Sequence, residues 1–337
     1  MEEARHFFDK FTGNNTSDFF ALPQSGSSRK NFIGKTNDES FVITSNENLL
    51  ENESFFYFTK VFSELNLNSP KIFSISEDRR IYAQEYLGSK TFSEIITEEG
   101  LSERVKSLVK QTLEKLYRLQ TSTLGKIDYS KTFEYTKYDD IPILHDLNYF
   151  KFLFVDVVEM HYNKSTLLSE FKALSDKIEN LSPKFLMIRD FQARNIMVND
   201  NDEVFFIDYQ AAMEGPAMYD VISFLYQAKA NFPDEFRNEM LEYYFSLFEN
   251  EEDRLELRKS VMPIRLIRNI QVLGVYGLRG LIQRKEHFIK SIFPGIENLY
   301  NTSLSWDEMG EFPELKKLIE NLHTEETLNK IKVLINH

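Results

Sequence analysis

A change in periodicity near residue 100 constrains the fold of this chain more than any other feature. Before it, short segments rich in Phe, Ile and Val alternate with polar turns, which is typical of β-strands. One helical run interrupts them. The predicted order is three strands, a helix and two strands, carried by SDFFALP, KNFIGKT, ESFVITS, ENESFFYFTKVFSEL, KIFSIS and RIYAQEY. From about residue 101 onward, apolar residues recur at helical spacing. The sequence therefore predicts an α+β fold in which strands come first and helices follow.

One strand–loop–strand segment, residues 184–209, interrupts the helical region and carries informative polar residues. Asp190 precedes Asn195 by five positions, and Asp208 ends the next predicted strand. Kinase-type phosphoryl transfer needs one carboxylate to accept the proton of the attacking hydroxyl. It also needs an amide oxygen and a second carboxylate to hold Mg²⁺ against the phosphates. Single Asp and Asn residues in loops usually cap or form turns. Three at this spacing, flanked by strands, favour a catalytic loop.

The composition excludes several other classes of protein. The 337 residues contain no cysteine, which excludes disulfides, thiol catalysis and Cys-ligated metal sites. The formal charge of −13 disfavours nonspecific binding to nucleic acid. No apolar run reaches the roughly 18 residues of a membrane span, and the charged N-terminus lacks a signal segment. We therefore expect a cytoplasmic protein with no nucleic-acid or membrane partner.

The 184–209 segment and its continuation resemble a known family. RDFQARNIMV, followed by IDYQAAMEGPAMYDVISFL, is similar to the aminoglycoside phosphotransferase/choline kinase-like group, which has a protein-kinase-like bilobal fold. Within that group, these stretches and the later RNIQVLGVYGLRGL are most similar to the bacterial N-acetylmuramate/N-acetylglucosamine anomeric kinases. The resemblance implies a nucleotide-binding lobe with a small antiparallel sheet over residues 1–88. It implies a mainly helical catalytic and acceptor-binding lobe over 89–337, with ATP and Mg²⁺ as cofactors.

The same resemblance implies roles for residues in and after the catalytic loop. Asp190 corresponds to the catalytic base, and Asn195 and Asp208 correspond to the Mg²⁺ ligands. Asp220 corresponds to a buried Asp that hydrogen-bonds and orders the loop. Arg194, within the loop, is a candidate for binding the acceptor.

Nucleotide-binding candidates lie in the first lobe. Glu85 and Leu87 belong to a segment that resembles the hinge, whose backbone amide and carbonyl would pair with adenine. Glu53, which opens the first helix, is the best candidate for the helix carboxylate that pairs with a basic group. The turn between the first two strands resembles the phosphate-covering turn, with the candidates Gly26, Ser27 and Ser28.

Two positions depart from the family's pattern. Ile188 stands where the loop usually has a His; because that His mostly braces the loop, its loss need not abolish activity. The third strand has Thr44 where most kinases have the phosphate-binding Lys. Arg29 or Lys30, on the neighbouring strand, could replace that Lys, or both could be solvated at a strand start. The missing Lys leaves a non-catalytic nucleotide-binding protein as one alternative.

A basic stretch at residues 261–290 bears on the acceptor, because it contains six Lys and Arg residues and one acid, Glu286. Arg268 and Arg279 are eleven positions apart, close to three helical turns, so we expect them to share a face. Alternatively, such arginines pair with neighbouring acids. A net-positive patch in an acidic chain favours an anionic or neutral acceptor over a polycationic drug.

Two more features concern the acceptor region. Asn148 and Tyr149 are candidates for the acceptor pocket, whereas Phe150 is expected in the helix core. Glycines recur at every third position from Gly274 to Gly280. Because glycine is unfavourable within helices, they predict a close backbone approach or a local break in the helix.

Together these observations predict ATP-dependent phosphorylation of the anomeric hydroxyl of an N-acetylated amino sugar, in cell-wall sugar salvage; the resemblance supplies the sugar. A kinase of another small alcohol or of an aminoglycoside is the main alternative. A protein kinase is disfavoured, because the chain after Asp208 has no Ala-Pro-Glu-like motif to end an activation segment. Only the dipeptide Gly215-Pro216 stands in that region. The interval from Asp208 to Asp220 is also too short for a regulated loop.

Overall fold

The computed structural model describes residues 1–23 and 28–336 and contains a five-stranded antiparallel sheet. Its strands are β1 Asp18–Ala21, β2 Lys30–Lys35, β3 Ser40–Ser45, β4 Ile72–Ile75 and β5 Ile81–Glu85. They are arranged in the order β1-β2-β3-β5-β4, and all neighbours run antiparallel. Every strand lies within a segment predicted to be one, so this part of the sequence analysis is confirmed.

A helix that the sequence analysis did not predict, α1 (Glu2–Phe11), packs on this sheet. The core that it forms with β1, β2, β3 and β5 consists of Ala4, Phe8, Phe19, Phe32, Phe41, Ile43, Ile81 and Ala83. A Cβ at Gly34 would lie 2.7 Å from the Phe8 ring, so the helix approaches the sheet where a strand has no side chain. Apolar residues at positions 4, 7, 8 and 11 were the signal for this helix.

The predicted first helix is α2 (Leu49–Glu64), which begins after the N-cap Asn48. Phe55, Phe58 and Phe62, predicted to lie about one turn apart, are all buried. The Phe55 ring lies 5.3 Å from that of Tyr82 on β5, which fixes the helix against the sheet.

Two helices and a small second sheet follow. The helices are α3 (Phe92–Glu99) and α4 (Glu103–Thr123). The next strands are β6 (Lys90–Thr91), β7 (Lys184–Met187), β8 (Ile196–Val198) and β9 (Val204–Phe206). Strands β6, β8 and β9 form a three-stranded antiparallel sheet in that order. The strand–loop–strand segment predicted at 184–209 is therefore present, and β8 and β9 are its hairpin.

The chain divides into two compact units. The first comprises Met1–Thr136 and Ile188–Met213, and the second comprises Lys137–Met187 and the chain from Glu214 onward. Helix α3 contacts β8 and the short turn before it, so α3 and the hairpin belong to the same unit as the large sheet. The divisions between these units do not fall at Gly88, where the sequence predicts the boundary between the two lobes. That boundary stays a prediction.

The second unit is mainly helical, as predicted. One further strand, β10 (Met213–Pro216), pairs with β7. The helices are α5 Asp140–Phe150, α6 Lys164–Glu179, α7 Met218–Leu225, α8 Asp234–Ser246, α9 Glu251–Tyr276, α10 Glu286–Ile289, α11 Ile292–Ser305, α12 Pro313–Leu322 and α13 Glu325–Asn336. Across the described residues, no helix combines the length and the apolar character needed to cross a membrane.

Two π-helical turns in this unit continue α5 and α9. They span Lys151–Val155 and Gly277–Ile282, and they contact each other. A Cβ added at Gly277 would overlap the carbonyl oxygen of Leu153, so only glycine allows this approach. Both outcomes predicted from the glycine spacing, a close approach and a local break in the α-helix, are therefore observed.

The π-turn after α5 also shifts the buried face of that segment. Phe150 is fully buried, as expected from the sequence, and Phe154 four positions later is fully buried too. A continuous α-helix would bury Val157 next, but Val157 is only half-buried and Val158 is fully buried instead. A π-turn carries one residue more than an α-turn, so each later side chain moves one position along the chain.

Candidate active site

The candidate catalytic loop begins directly after β7 with a strained turn. Arg189 has φ of +74°, and the backbone N–H of Asp190 donates to the carbonyl oxygen of Ile188 at 3.0 Å. A left-handed φ costs a non-glycine residue about 1–2 kcal/mol, so the surroundings must hold this turn. Ile188, at the position of the usual His, is 1% exposed and packs as a buried apolar residue. The Asp190 side chain is left half-exposed, as a base that meets an acceptor requires.

Asn195 connects the loop to the second predicted metal ligand. Its Nδ2 donates to the backbone carbonyl of Asp190 at 2.9 Å and to Asp208 Oδ2 at 3.2 Å. Its own carbonyl accepts from the backbone N–H of Ile207 at 3.0 Å. The β8–β9 register, with Ile196 opposite Phe206, brings these residues together although they are distant in sequence. The three residues predicted from the spacing thus lie in one hydrogen-bonded arrangement.

Asp208 lies just after β9 in a left-handed conformation, with φ of +65°. Its carboxylate accepts from Gln210 Nε2 at 3.1 Å and from the Arg29 guanidinium. Burial by itself would raise the pKa of this carboxyl. The charge and hydrogen bond of Arg29, the hydrogen bond of Gln210 and the charge of Arg194 outweigh it, and the pKa lies below its usual value. Asp208 is therefore a carboxylate at neutral pH.

The structure separates the two basic residues proposed to replace the missing Lys. The Arg29 side chain is 15% exposed, and its Nε lies 3.4 Å from Glu51 Oε1 while Nη2 donates to Asp208. The neighbouring Lys30 is exposed. Arg29 therefore joins a cluster of two carboxylates, and Lys30 does not.

The helix carboxylate in this cluster is Glu51, two positions before the predicted Glu53. Glu53 forms an exposed ion pair with Arg79, and both side chains are nearly half exposed. Helix α2 begins at Leu49, so Glu51 falls in its first turn and faces Arg29. The contacts do not support the prediction that Glu53 contributes to the site, because its partner is a surface arginine.

An Mg²⁺ ion would meet an all-oxygen set of donors here. Asp208 supplies a carboxylate, and the two hydrogen bonds from Asn195 Nδ2 leave its Oδ1 to face a cation. Gln210 Oε1 is buried and has no hydrogen-bond partner in the described part of the chain. Mg²⁺ takes few protein ligands and keeps waters and phosphate oxygens. Within residues 1–23 and 28–336, no three His, Asp or Glu side chains form a group that could hold a metal by itself.

Helix α2 is attached to the segment that follows Asp208, which the sequence analysis missed. Ser54 Oγ donates to the backbone carbonyl of Gln210 at 2.7 Å. The Tyr209 hydroxyl and Thr59 Oγ1 are 2.6 Å apart, and the Tyr209 ring stacks on Phe55 at 5.1 Å. All these groups are buried. The helix that carries Glu51 and the segment that carries Asp208 therefore form one packed structure.

The predicted hinge follows β5. The backbone N–H of Glu85 donates to the carbonyl of Lys71 at 2.9 Å, and Leu87 is buried. Gly88 has φ of +110°, and a Cβ there would lie 3.2 Å from the carbonyl oxygen of Val198. The segment therefore ends at a position that only glycine adopts easily.

Four other candidates are Gly26, Ser27 and Ser28 of the predicted phosphate-covering turn, and Arg194 of the loop. Gly26 and Ser27 lie outside the described residues, and Ser28 is exposed. Arg194 is also exposed, and its charge contributes to lowering the pKa of Asp208. Its role in binding an acceptor remains a prediction.

Two predicted residues of the second unit are buried. Asp220 is 0% exposed in the first turn of α7, which suits an ordering role. Arg268 is 6% exposed; its Nη1 donates to the Tyr219 hydroxyl at 2.9 Å and to Gln271 Oε1 at 2.8 Å. A guanidinium enclosed in this way is not presented to an acceptor. These contacts therefore do not support the predicted role of Arg268 in binding the acceptor.

The remaining acceptor candidates lie around the π-helical turns. Asn148 Nδ2 donates to the carbonyl of Leu144 at 2.8 Å, within its own helix. Tyr149 is half-buried; burial raises its pKa, and the nearby charge of Arg279 partly offsets the increase. Arg279 is half-buried, and its Nη1 donates to Gln283 Oε1 at 2.9 Å. The structure thus brings Tyr149 and Arg279 near each other.

Comparison with known proteins agrees with this site. The family model of the phosphotransferase enzyme family (APH) matches residues 21–258, which include strands β2–β5 of the large sheet and the β8–β9 hairpin. No curated protein matches the sequence significantly.

Solved structures resemble the chain along most of its length. Choline kinase LicA from Streptococcus pneumoniae has a TM-score of 0.61 at 12% identity, over 89% of this chain and 100% of that one. ADP-bound aminoglycoside phosphotransferase APH(2″)-Ib has a TM-score of 0.59 at 16% identity, over 91% and 98%. An ethanolamine kinase from Plasmodium vivax has a TM-score of 0.58 at 14% identity, over 88% and 85%. These likenesses establish the predicted kinase-like α+β fold, with an antiparallel sheet and a mainly helical remainder. Since the family model covers most of the chain, including the Asp190–Asn195–Asp208 arrangement, the chain belongs to the phosphotransferase enzyme family and is a small-molecule phosphotransferase.

Proposed function

We propose that the protein transfers the γ-phosphate of ATP to a hydroxyl of a small-molecule acceptor, with Asp190 as the base and Asn195 and Asp208 as the Mg²⁺ ligands. The observation that carries this proposal is the position of Asn195. Its amide is hydrogen-bonded to the Asp190 carbonyl and to the Asp208 carboxylate, so base and metal ligands are held in register. Such catalysis rests mainly on positioning and electrostatic stabilisation.

Each of these residues has a distinct task in the proposed reaction. The half-exposed Asp190 carboxylate orients the acceptor hydroxyl and takes its proton. Asp208 stays ionised at neutral pH and can hold a cation, because its pKa is depressed. Bound Mg²⁺ would neutralise charge that develops on the phosphates. The sequence resemblance assigns Asp220, which is fully buried, the task of ordering the loop.

The nucleotide side of the proposal uses residues 1–88. The backbone of Glu85 and Leu87 would pair with adenine at the hinge, and the turn with Gly26, Ser27 and Ser28 would cover the phosphates. ATP as the donor is supported by the family and by solved neighbours that contain AMP, ADP or ATP. Residues 89–337 would supply the base, the metal ligands and the acceptor pocket.

The acceptor that we propose is an N-acetylated amino sugar, phosphorylated at its anomeric hydroxyl in the cytoplasm. The sequence resemblance described above supports this choice, and so does charge. Arg279 adds a positive charge beside Tyr149, where Asn148 is also present. This arrangement suits a neutral or acidic sugar, and it would repel a polycationic aminoglycoside. Choline and ethanolamine, named for two solved neighbours, are cations too.

The decisive experiment offers ATP and Mg²⁺ with a panel of acceptors and detects the gain of one phosphate by mass. The panel contains N-acetylmuramate, N-acetylglucosamine, choline, ethanolamine and a kanamycin-type aminoglycoside. We expect a sugar phosphate that mild acid hydrolyses, because the anomeric phosphate is labile. An acid-stable product, or phosphorylation of the aminoglycoside with neither sugar used, would show that the proposed acceptor is wrong. The proposal that the protein transfers phosphate to a small molecule would still stand.

A matched pair of variants tests the chemistry. Asp190→Asn should lower kcat by about 10²–10⁴-fold, the usual contribution of a general base. Asp200→Asn, an exposed Asp in the following turn, should leave kcat unchanged. If the protein bound ATP but phosphorylated no acceptor, the non-catalytic alternative would replace this proposal.

A further inference from the structure

We propose that Arg29, held by Glu51, is the cation that binds the nucleotide phosphates in place of the missing third-strand lysine. This inference rests on the proposed function, because it assumes that Asp208 faces the metal and the phosphates. It assigns this role to two residues: Arg29, which lies just before β2, and Glu51 in the first turn of α2.

The third strand cannot provide a charge at the usual position. Thr44 is 1% exposed, and its hydroxyl donates to Asn31 Oδ1 at 2.8 Å and accepts from Gln84 Nε2 at 2.9 Å. These neutral hydrogen bonds run across three adjacent strands: Asn31 on β2 is the register partner of Thr44 on β3, and Gln84 on β5 lies two positions from Tyr82, the register partner of Thr44 on that strand. A neutral hydroxyl does not offset phosphate charge, so a nearby cation has to do so.

Arg29 is that cation by position. Its guanidinium contacts the Asp208 carboxylate, which is the proposed metal ligand. A metal held by Asp208 would lie against the phosphate oxygens of the nucleotide. A side chain that contacts the metal-binding carboxylate therefore lies within reach of those oxygens. A guanidinium also suits a phosphate geometrically, because it can form paired hydrogen bonds with two oxygens.

Glu51 positions Arg29 and is itself held by buried asparagine side chains. Its Oε2 accepts from Asn46 Nδ2 at 2.9 Å, and the same amide donates to Asn52 Oδ1 at 3.0 Å. Asn52 Nδ2 in turn donates to the backbone carbonyls of Asn46 at 3.0 Å and Arg79 at 2.9 Å. Asn46 and Asn52 are nearly fully buried, so the carboxylate has little freedom to move. Glu51 is therefore a positioning residue that acts through Arg29.

The alternative is that Arg29 only neutralises Asp208 and stabilises the fold. Comparing ligands with and without phosphates separates the two roles. A residue that binds phosphates should affect ATP and ADP but not adenosine, whereas a purely structural residue should affect all three alike or none.

The experiment measures the affinities for ATP, ADP and adenosine by calorimetric titration of the full chain. Arg29→Ala should weaken ATP binding by about 10- to 100-fold, the usual effect of losing a charged hydrogen bond, and change adenosine by less than about twofold. Glu51→Gln should weaken ATP by about 3- to 10-fold, also with adenosine unchanged, because its effect is indirect. Arg29→Lys should recover part of the loss, since it restores the charge but not the paired geometry.

The chain offers a matched control for each residue. Lys30→Ala removes the adjacent exposed cation, and Glu53→Gln removes the carboxylate paired with Arg79 at the surface. Neither should change any of the three affinities. Thermal unfolding of every variant verifies folding, and Arg29→Gln replaces Arg29→Ala if the alanine variant does not fold.

Two results would overturn the inference: an Arg29→Ala variant that binds ATP like the wild type, or equal losses for ATP and adenosine. Its failure is distinguishable from failure of the proposed function. If Asp190→Asn abolished turnover while Arg29→Ala bound ATP normally, only the role of Arg29 would fall. If Asp190→Asn kept full turnover, the proposed base would fall, and the binding data would still decide the role of Arg29.

Discussion

The Asp208 segment and the contact between the two π-helical turns are built in different ways. Around Asp208, each side chain is positioned by a hydrogen bond or ion pair with a named partner, including Asn195, Gln210 and Arg29. At the π-helical contact, the decisive feature is the absence of a side chain at Gly277, which lets its helix approach the carbonyl of Leu153. One region is specified by polar groups, and the other by shape.

This difference teaches what each region tolerates. A polar network can lose one bond at a time, so single substitutions there separate chemistry from folding. A steric contact has no such gradation, because one added carbon displaces backbone. We therefore expect substitutions around Asp208 to affect turnover first, and substitutions at the π-helical contact to affect stability first.

The largest effect should come from Asp208→Asn. It removes the carboxylate of the proposed metal site while keeping the shape, so kcat should fall by at least about 10³-fold, whereas the fold should survive. Steady-state kinetics over a range of Mg²⁺ concentrations and thermal unfolding measure the two effects. Asp202→Asn, which breaks only an exposed pair with Arg104, is the control. A near-wild-type rate at ordinary Mg²⁺ would show that the metal assignment is wrong.

Gly277→Ala should have the next largest effect, this time on stability. The added Cβ would overlap the Leu153 carbonyl, and overpacking of this kind lowers the free energy of unfolding by about 2–3 kcal/mol. Denaturant-induced unfolding measures the change. Gly310→Ala is the matched control, because a Cβ there would meet no atom within 4 Å. Equal stabilities of the two variants would contradict the steric account of this contact.

Arg279→Ala tests the proposed acceptor at the π-helical contact. Loss of a charged contact is worth about 1.5 kcal/mol or more. The KM for the acidic N-acetylmuramate should therefore rise by about tenfold or more, with little change for the neutral N-acetylglucosamine. Lys290→Ala removes an exposed charge from the same basic stretch and should change neither KM. Parallel increases for both sugars in Arg279→Ala would argue against recognition of a carboxylate.

The smallest effect should come from Tyr209→Phe, which removes one hydroxyl from the attachment of α2 to the Asp208 segment. Losing its buried contact with Thr59 should lower the free energy of unfolding by about 1–1.5 kcal/mol, with kcat reduced severalfold. A double-mutant cycle with Thr59→Val isolates the coupling between the two side chains. Additive effects of the two substitutions would show that this hydrogen bond does not contribute.

The sequence predicted the strands and the hairpin because apolar residues recur along each of these short segments. It brought Asp190, Asn195 and Asp208 together because each lies at the end of a predicted strand or in the loop between two of them. Helix α1 was not predicted, because its four apolar residues lie among charged residues at positions 2, 3, 5, 9 and 10. Glu51 and Glu53 could not be distinguished by pattern, since the choice depends on where the N-cap Asn48 starts the helix.

The orientation of side chains beyond an irregular helical turn could not be predicted from the sequence either. The spacing of Arg268 and Arg279 assumed a continuous α-helix, but the helix becomes a π-turn at Gly277. Moreover, Arg268 donates to Tyr219, a partner 49 positions away that helical periodicity does not reveal. Local periodicity predicts which residues are helical, but tertiary packing decides which of them reach a site.

The attachment of α2 to the Asp208 segment has a consequence for how the enzyme responds to the cell. Moving this helix outward would break the Ser54 and Thr59 hydrogen bonds and the stack of Phe55 on Tyr209. Together these contacts contribute about 3 kcal/mol, so an outward conformation would hold on the order of 1% of the molecules. We therefore expect a catalyst that is always assembled and whose flux follows the supply of its substrates.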